Sequence, residues 1–363
     1  MIAIGRPDSH LRAKTALVDE KLRQRIELSR VVLIVAIVLH HIRMPAELSL
    51  FTWDNLGYVR GYVQIGLLKT ATSTLTIISG FLLFSSRFEH DPAGFIAKKF
   101  RTLFVPLLLW NLPIALLIFA FQRKGQYLMK YDNLSSGDLH NWANALLGLT
   151  TQPANGPLHF LRNLIGCNII ALAIAGLFRR YVFLVFAVIV VAGLLDLEWP
   201  LLTRNDMLIG FFLGGLVSVA AIDVGLIDGL MPVSVPCFLV SGFFMFRYQV
   251  DYDSLWWLPH RLLGFLAVWP LIGHLSRHQL GRELAKYSKY TFVLFLSHYY
   301  AILLSFALFS LFFTLQHFYI YAILAGPVAV AMSIAGQRVA ARFFPRLLSL
   351  ATGGRVGETR QRR

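Results

Sequence analysis

Two kinds of ionisable residue flank a run of sequence that water would not accommodate. Arg30 is followed by the unbroken apolar stretch Val31 to Leu39, and that stretch ends on His40 and His41. Arginine is a permanent cation suited to holding phosphate or carboxylate, and an imidazole titrating near neutrality is suited to moving a proton. At ~100° per residue the step from Arg30 to His41 is about three helical turns, which puts both on nearly one helix face roughly 16 Å apart. An ionisable group inside a membrane is costly enough to be a functional candidate by default. The plain alternative is that the histidines only end the helix at the outer interface. His40 lies about 100° around from His41 and is expected to face a different neighbour.

Other polar groups fall in apolar surroundings. Lys69 is followed by Thr70, Thr72, Ser73, Thr74 and Thr76, a stripe that could line a cavity or bond its own backbone. Lys69 itself could pair with a carboxylate such as Glu27 or Asp206. Ser79 and Gly80 are small enough to permit close helix contact, and Ser79 reads as a packing residue before a nucleophile. Lys98, Lys99 and Arg101 precede Pro106. Such a cluster would meet a phosphate-rich ligand or, more plainly, anionic lipid. His159 and Arg162 are spaced to share a face, and His298 follows Ser297 with Tyr290, Tyr299 and Tyr300 near it. A lone histidine in a bundle is usually a packing group, but several drawn from separate helices point to a site. Cys167 and Cys237 form no disulfide framework or zinc spacing, so no metal is expected. Neither a P-loop nor a Rossmann glycine pattern is present, which disfavours a nucleotide-driven pump.

The elements that must position these groups are membrane helices. Of 363 residues 56% are hydrophobic and only 15% charged, and the mean hydropathy is +0.62. That leaves too little polar surface to cover a soluble globule. The expected fold is all-α: a polytopic integral membrane bundle of about ten transmembrane helices. Candidate spans run over 26–42, 62–84, 103–121, 159–178, 181–197, 206–222, 231–246, 258–275, 290–312 and 318–337. The first apolar run lacks a small-residue cleavage site and reads as a retained helix. Most of the 34 Lys and Arg fall on the side of the two chain ends. This bias predicts both termini in the cytoplasm and His41 toward the outside. Three parts follow: a basic cytoplasmic tail over 1–25, a transmembrane domain over 26–340 and a second basic tail over 341–363. The longest connection, Gln122 to Leu158, faces out and holds Trp142, Asn144, Asn155 and Gly156, so it could cover a site. An excess of cations in such a chain marks membrane sidedness, and nucleic acid is not an expected partner.

The order of these motifs resembles acyltransferase family 3, membrane O-acyltransferases of bacterial polysaccharides and lipopolysaccharides. Arg30 and His41 match the basic-to-histidine spacing of that family's first helix. Ile78, Ser79, Gly80, Phe81, Leu82 and Leu83 are similar to its serine-glycine signature. Lys98, Lys99, Phe100 and Arg101 before Pro106 resemble its paired-arginine motif, with Lys98 where arginine is preferred. Lysine there supplies a point charge and no fork for phosphate. His159, Phe160, Leu161, Arg162 and Asn163 resemble a later aromatic-leucine-arginine segment, with His159 where tryptophan is frequent. Tyr290 through His298 is similar to its tyrosine-to-histidine segment. The overall look is closest to the branch decorating exopolysaccharides such as succinoglycan with acetyl or succinyl groups.

The resemblance implies a bacterial inner-membrane, multi-pass enzyme. Its donor would be acyl-CoA (acetyl-CoA or succinyl-CoA) as co-substrate, with no permanently bound cofactor, and its acceptor a sugar hydroxyl on a polysaccharide or lipid-linked glycan. His41 would then be the general base, with Arg30, Lys98, Lys99 and Arg101 binding the donor. Lys69, Ser79, His159, Arg162 and His298 would line the pocket. Direct transfer and an acylated His41 or serine both remain open chemistries. Two other classes compete. A transporter or flippase for an anionic or glycosylated substrate would use the same buried cations, although its usual paired broken helices are not evident. A structural subunit of an envelope assembly would need Arg30 and His41 for assembly alone.

Overall fold

The computed structural model describes residues 9–42, 55–126, 131–251, 254–314 and 317–356. Within them the chain is helical, with no strand. Helix α1 (Ser9–His40) leads to α2 (Asn55–Gly61), which passes through a wide turn at Tyr62–Leu67 into α3 (Ala71–Phe84). Helix α4 (Pro92–Lys99) passes through a second wide turn, Phe100–Phe104, into α5 (Val105–Arg123), and α6 (Leu139–Leu147) lies in the long connection. Then follow α7 (His159–Arg180), α8 (Val182–Leu194), α9 (Asn205–Val219), α10 (Met231–Arg247) and α11 (Trp257–Arg277). The chain closes with α12 (Gln279–Ala285), α13 (Ser288–Phe312), α14 (Phe318–Phe343) and α15 (Pro345–Ala351).

Every apolar stretch expected as a span falls on a helix. Among the described residues, 6 helical runs are long and apolar enough to cross a membrane, and α8 and α9 are shorter apolar helices. This is the architecture of a multi-pass membrane protein. Helices α1 and α11 are more polar along their length, with Arg25, Ser29, His260 and Arg261 buried. The outward apolar side chains of α8, among them Phe183, Leu184, Val188 and Val191, are exposed as lipid-facing groups would be.

Helix α1 is the hub, packed against α3, α11, α12, α13 and α14. Its cytoplasm-assigned stretch behaves differently from a free tail. The described part continues the helix, and Arg25 is buried where a tail residue would be solvated. Arg25 donates to Asp228 at 2.6 and 3.1 Å and to the Trp269 carbonyl at 2.6 Å. Residues 1–8 and 357–363 of the two expected tails lie outside the described residues.

Lipid gives helices no hydrophobic reason to associate, so close backbone approach at small residues matters more. The tightest crossing is α3 on α9. A Cβ on Gly80 would sit 1.8 Å from the Phe211 carbonyl oxygen, and one on Gly214 would sit 1.9 Å from that of Ile77. Gly80 therefore makes the close contact expected of the Ser79 and Gly80 pair. By contrast, a Cβ on Gly176 would meet nothing within 4 Å. Gly80→Val should separate α3 from α9 at a cost of about 1–3 kcal/mol or more, while Gly176→Ala should be neutral. Size-exclusion profiles of detergent extracts at rising temperature check the pair; equal loss of the monodisperse peak in both variants would refute the packing argument.

Candidate functional site

The C-terminal end of α1 is held by side chains from α2 and from the wide turn after it. The last carbonyls of a helix have no intrahelical partner. Here Gln64 Nε2 donates to the carbonyls of His40 at 2.5 Å and Ile42 at 2.8 Å, and Arg60 Nη2 donates to Ile42 at 3.0 Å. His40 Nδ1 lies 2.9 Å from the Gln64 carbonyl. His40 thus faces the turn, as its helical phase requires, and His41 faces elsewhere.

His41 points to α13. Its ring centroid is 5.3 Å from that of His298, edge to face. His41 Nδ1 lies 2.7 Å from the Ile37 carbonyl. A carbonyl can only accept, so Nδ1 carries the proton and Nε2 of the neutral ring carries the lone pair. His298 repeats the pattern: Nδ1 donates to Phe295 at 2.7 Å, and the buried Nε2 has no hydrogen-bond partner. Two proton-accepting nitrogens are thereby presented at one place by helices far apart in sequence.

His159 is close by but committed. Its Nδ1 donates to the Gly156 carbonyl at 2.9 Å, and its Nε2 accepts from Arg204 Nη1 at 3.1 Å. With both nitrogens used, His159 orders its surroundings and is not a proton acceptor. Arg204 in turn forks onto Asp206 at 2.9 and 2.8 Å, and Asp206 also takes Ser73 at 2.7 Å and Arg261 at 3.3 Å. Of the two carboxylates offered above as partners for Lys69, Asp206 is held by two arginines, and the Lys69 ammonium lies 4.2 Å above the Trp257 ring.

Arg162 also turns out to be a clamp. Its guanidinium donates to the carbonyls of Gly148, Leu149, Pro200 and Leu201 and to Asn163 Oδ1, tying two loops together. The long connection is a packed cap, with Asn155 fully buried and its backbone N–H on Asn111 Oδ1 at 2.8 Å.

The cations gather at the opposite end of the bundle. A cavity of about 1020 Å³ is lined there by Arg30, Ser79, Lys289, Tyr290, Arg338 and Arg342, among others. A neighbouring cavity of about 760 Å³ shares Arg30 and Ser79 and adds Arg87, Lys98 and Lys99. Arg30, Ser79, Lys98 and Lys99 thus all line the smaller cavity. Ser79 Oγ donates to its own helix at Leu75, 2.7 Å away, so it carries no activated nucleophile's geometry. Arg101 is not among the lining residues of either cavity; its guanidinium lies beside Gly354.

The larger cavity rises from Arg30 to an apolar end made by Ile34, Leu75, Phe160, Leu161 and Phe295. Phe160 and Phe295 meet edge to face at 5.6 Å, and Phe295 lies 6.1 Å from the His298 ring. Phe295 thus touches both the cation-lined cavity and the His298 ring.

Helix α1 thus joins a cation-lined cavity to a pair of imidazoles. The family described as Acyltransferase domain, acyltransferase family 3, matches residues 23–336. The chain belongs to this family. It is accordingly an acyltransferase, and the transport and structural-subunit readings fall away. A curated relative, succinoglycan biosynthesis protein ExoH of Rhizobium meliloti (strain 1021), is 25% identical over 352 residues, covering 94% of this chain and 95% of the relative. No solved structure matches the chain.

The residues that sequence reasoning missed belong to both ends. Gln64 and Arg204 act through other groups; Gln64 is a polar residue in an apolar run, whereas Arg204 stands in the polar segment Thr203 to Asp206. Lys289, Arg338 and Arg342 were counted as markers of sidedness, although they line the cavity.

Proposed function

We propose that this membrane acyltransferase moves an acyl group, acetyl or succinyl, from an acyl-CoA donor to a sugar hydroxyl of a cell-envelope or exopolysaccharide glycan. In this reading the protein lies in the bacterial inner membrane, crosses it about ten times and keeps both termini in the cytoplasm. The cation-lined cavity then faces the cytoplasm and receives the donor. The acceptor, a polysaccharide or a lipid-linked glycan, meets the imidazoles from the outer side. The name of the curated relative, a succinoglycan biosynthesis protein, supports a glycan acceptor.

The observation that carries the mechanism is the tautomer of His41, fixed by the Ile37 carbonyl at 2.7 Å. Nε2 takes the proton of the acceptor hydroxyl as its oxygen attacks the thioester carbonyl. The carbon–sulfur bond breaks, and the imidazolium returns the proton to the departing thiolate. The products are an O-acyl ester and free CoA. Arg30 and the neighbouring lysines Lys98 and Lys99 neutralise the donor's phosphates. The ~16 Å rise of α1 between Arg30 and His41 is similar in length to an extended pantetheine arm, which would carry the thioester to the base.

The test compares envelope glycans from cells with and without the protein, by mass, before and after mild alkali. Loss of one alkali-labile acyl mass in the deletion strain, restored by the wild-type chain, is the expected result. An identical ester pattern in both strains would sink the glycan reading.

A further inference from the structure

The family match ends at residue 336, yet the chain closes its cation-lined cavity with residues beyond it. After α14 the short helix α15 turns back under the bundle, where Trp110 Nε1 donates to the Ala351 carbonyl at 2.9 Å. Thr352 is fully buried. Gly353 then takes a left-handed conformation with φ of 63°, and a Cβ there would fall 2.5 Å from Thr102 Cα. Only glycine allows the chain to turn so close to the start of α5. The turn delivers Arg355, whose Nη1 donates to the Thr102 carbonyl at 2.6 Å. Its guanidinium stacks 3.7 Å from the centroid of the Phe292 ring. A planar cation laid on an aromatic face and tethered by one nitrogen is a pre-ordered anion ligand.

Arg355 lines both cavities and so stands with Arg30 at their junction. The larger cavity is bordered by the cations Arg30, Lys289, Arg338, Arg342 and Arg355, and no carboxylate is among the described residues that line it. The smaller one adds Asp91, whose Oδ1 already accepts the Gly94 N–H at the start of α4. So many like charges drawn together, with no carboxylate among the described residues that line the larger cavity, define a site for a multiply charged anion.

We propose that Arg355 binds the phosphates of the acyl-CoA donor and that the segment Pro345 to Val356 is a wall of the donor site. This rests on the donor reading above. It makes donor affinity depend on a part of the chain outside the family domain.

The test uses the full chain, purified in uncharged detergent and titrated with CoA, with pantetheine, which lacks every phosphate, and with phosphatidylglycerol. Arg355→Ala is expected to weaken CoA about tenfold or more while leaving pantetheine unchanged. Gly353→Val, which displaces the turn but keeps Arg355 in the chain, should weaken CoA in the same way. Where alanine lowers the melting temperature, Arg355→Gln keeps the stem over Phe292 and removes the charge. Unchanged CoA affinity, or an equal loss for CoA and pantetheine, overturns the proposal. So does an effect on phosphatidylglycerol alone, which would assign the cation to the bilayer. A wild-type protein that binds no CoA removes the donor reading first, and this inference falls with it.

Discussion

His41→Ala should lower acyl transfer by about 10²–10⁴-fold, the range that loss of a positioned general base produces, at wild-type abundance in the membrane. The expectation rests on geometry: the Nδ1 proton of His41 is committed to Ile37, and the opposing His298 is locked in the same sense by Phe295. His41→Gln is the stricter variant, because it keeps a polar side chain of similar reach and removes the titrating nitrogen. His40→Ala is the control. It removes a ring that bonds the Gln64 carbonyl, so its effect should be on stability and not on turnover. Ester-linked acyl groups released from envelope glycans give the readout. If alanine at 40 abolished transfer while alanine at 41 left it intact, the assignment of the base would be wrong.

The second large effect is expected on stability. Asp206→Ala should destabilise the folded bundle by about 3–5 kcal/mol, because it leaves Arg204 and Arg261 as buried cations without their counter-charge. The carboxylate is nearly fully buried and takes Arg204 through two nitrogens, Arg261 and the Ser73 hydroxyl. Asp206→Asn keeps a hydrogen-bonding shape but not the charge, and should fall between. Melting of the detergent-solubilised protein measures both. Unfolding temperatures matching wild type would show that the arginines find other partners. A partial loss carries a second consequence, since Arg204 also holds His159 Nε2. Residual folded protein should then show weakened transfer as the histidine end loosens.

Much of this was legible in the chain itself. Helical phase alone placed Arg30 and His41 on one face, and hydropathy located the stretches that became helices. The partner of His41 was not legible in the same way. His298 lies on α13, and nothing local to either residue says that α1 and α13 cross where their rings meet at 5.3 Å. Arg162 illustrates the opposite error. A cation at the start of an apolar helix reads as a ligand site, but its donors go to backbone carbonyls at 148, 149, 200 and 201, a ring of acceptors formed only when two loops meet. Arg355, which lines both cavities where Arg101 lines neither, escaped notice for a related reason. The docking of the last turn depends on the left-handed Gly353 and on Trp110 reaching Ala351, and neither leaves an apolar period to read.

The aromatic pair Phe160 and Phe295 bears on something outside the chemistry of esters. Cells store work as a proton gradient, and a protein that joined a cation-lined vestibule to a pair of imidazoles through a continuous wet passage would leak it. Neutral imidazoles relay protons readily. Two apolar rings in edge-to-face contact at the head of the cavity would interrupt such a relay. Trimming both to alanine should therefore register as a fall in membrane potential as well as a change in catalysis. An enzyme that worked across a bilayer would in this sense also be part of its insulation.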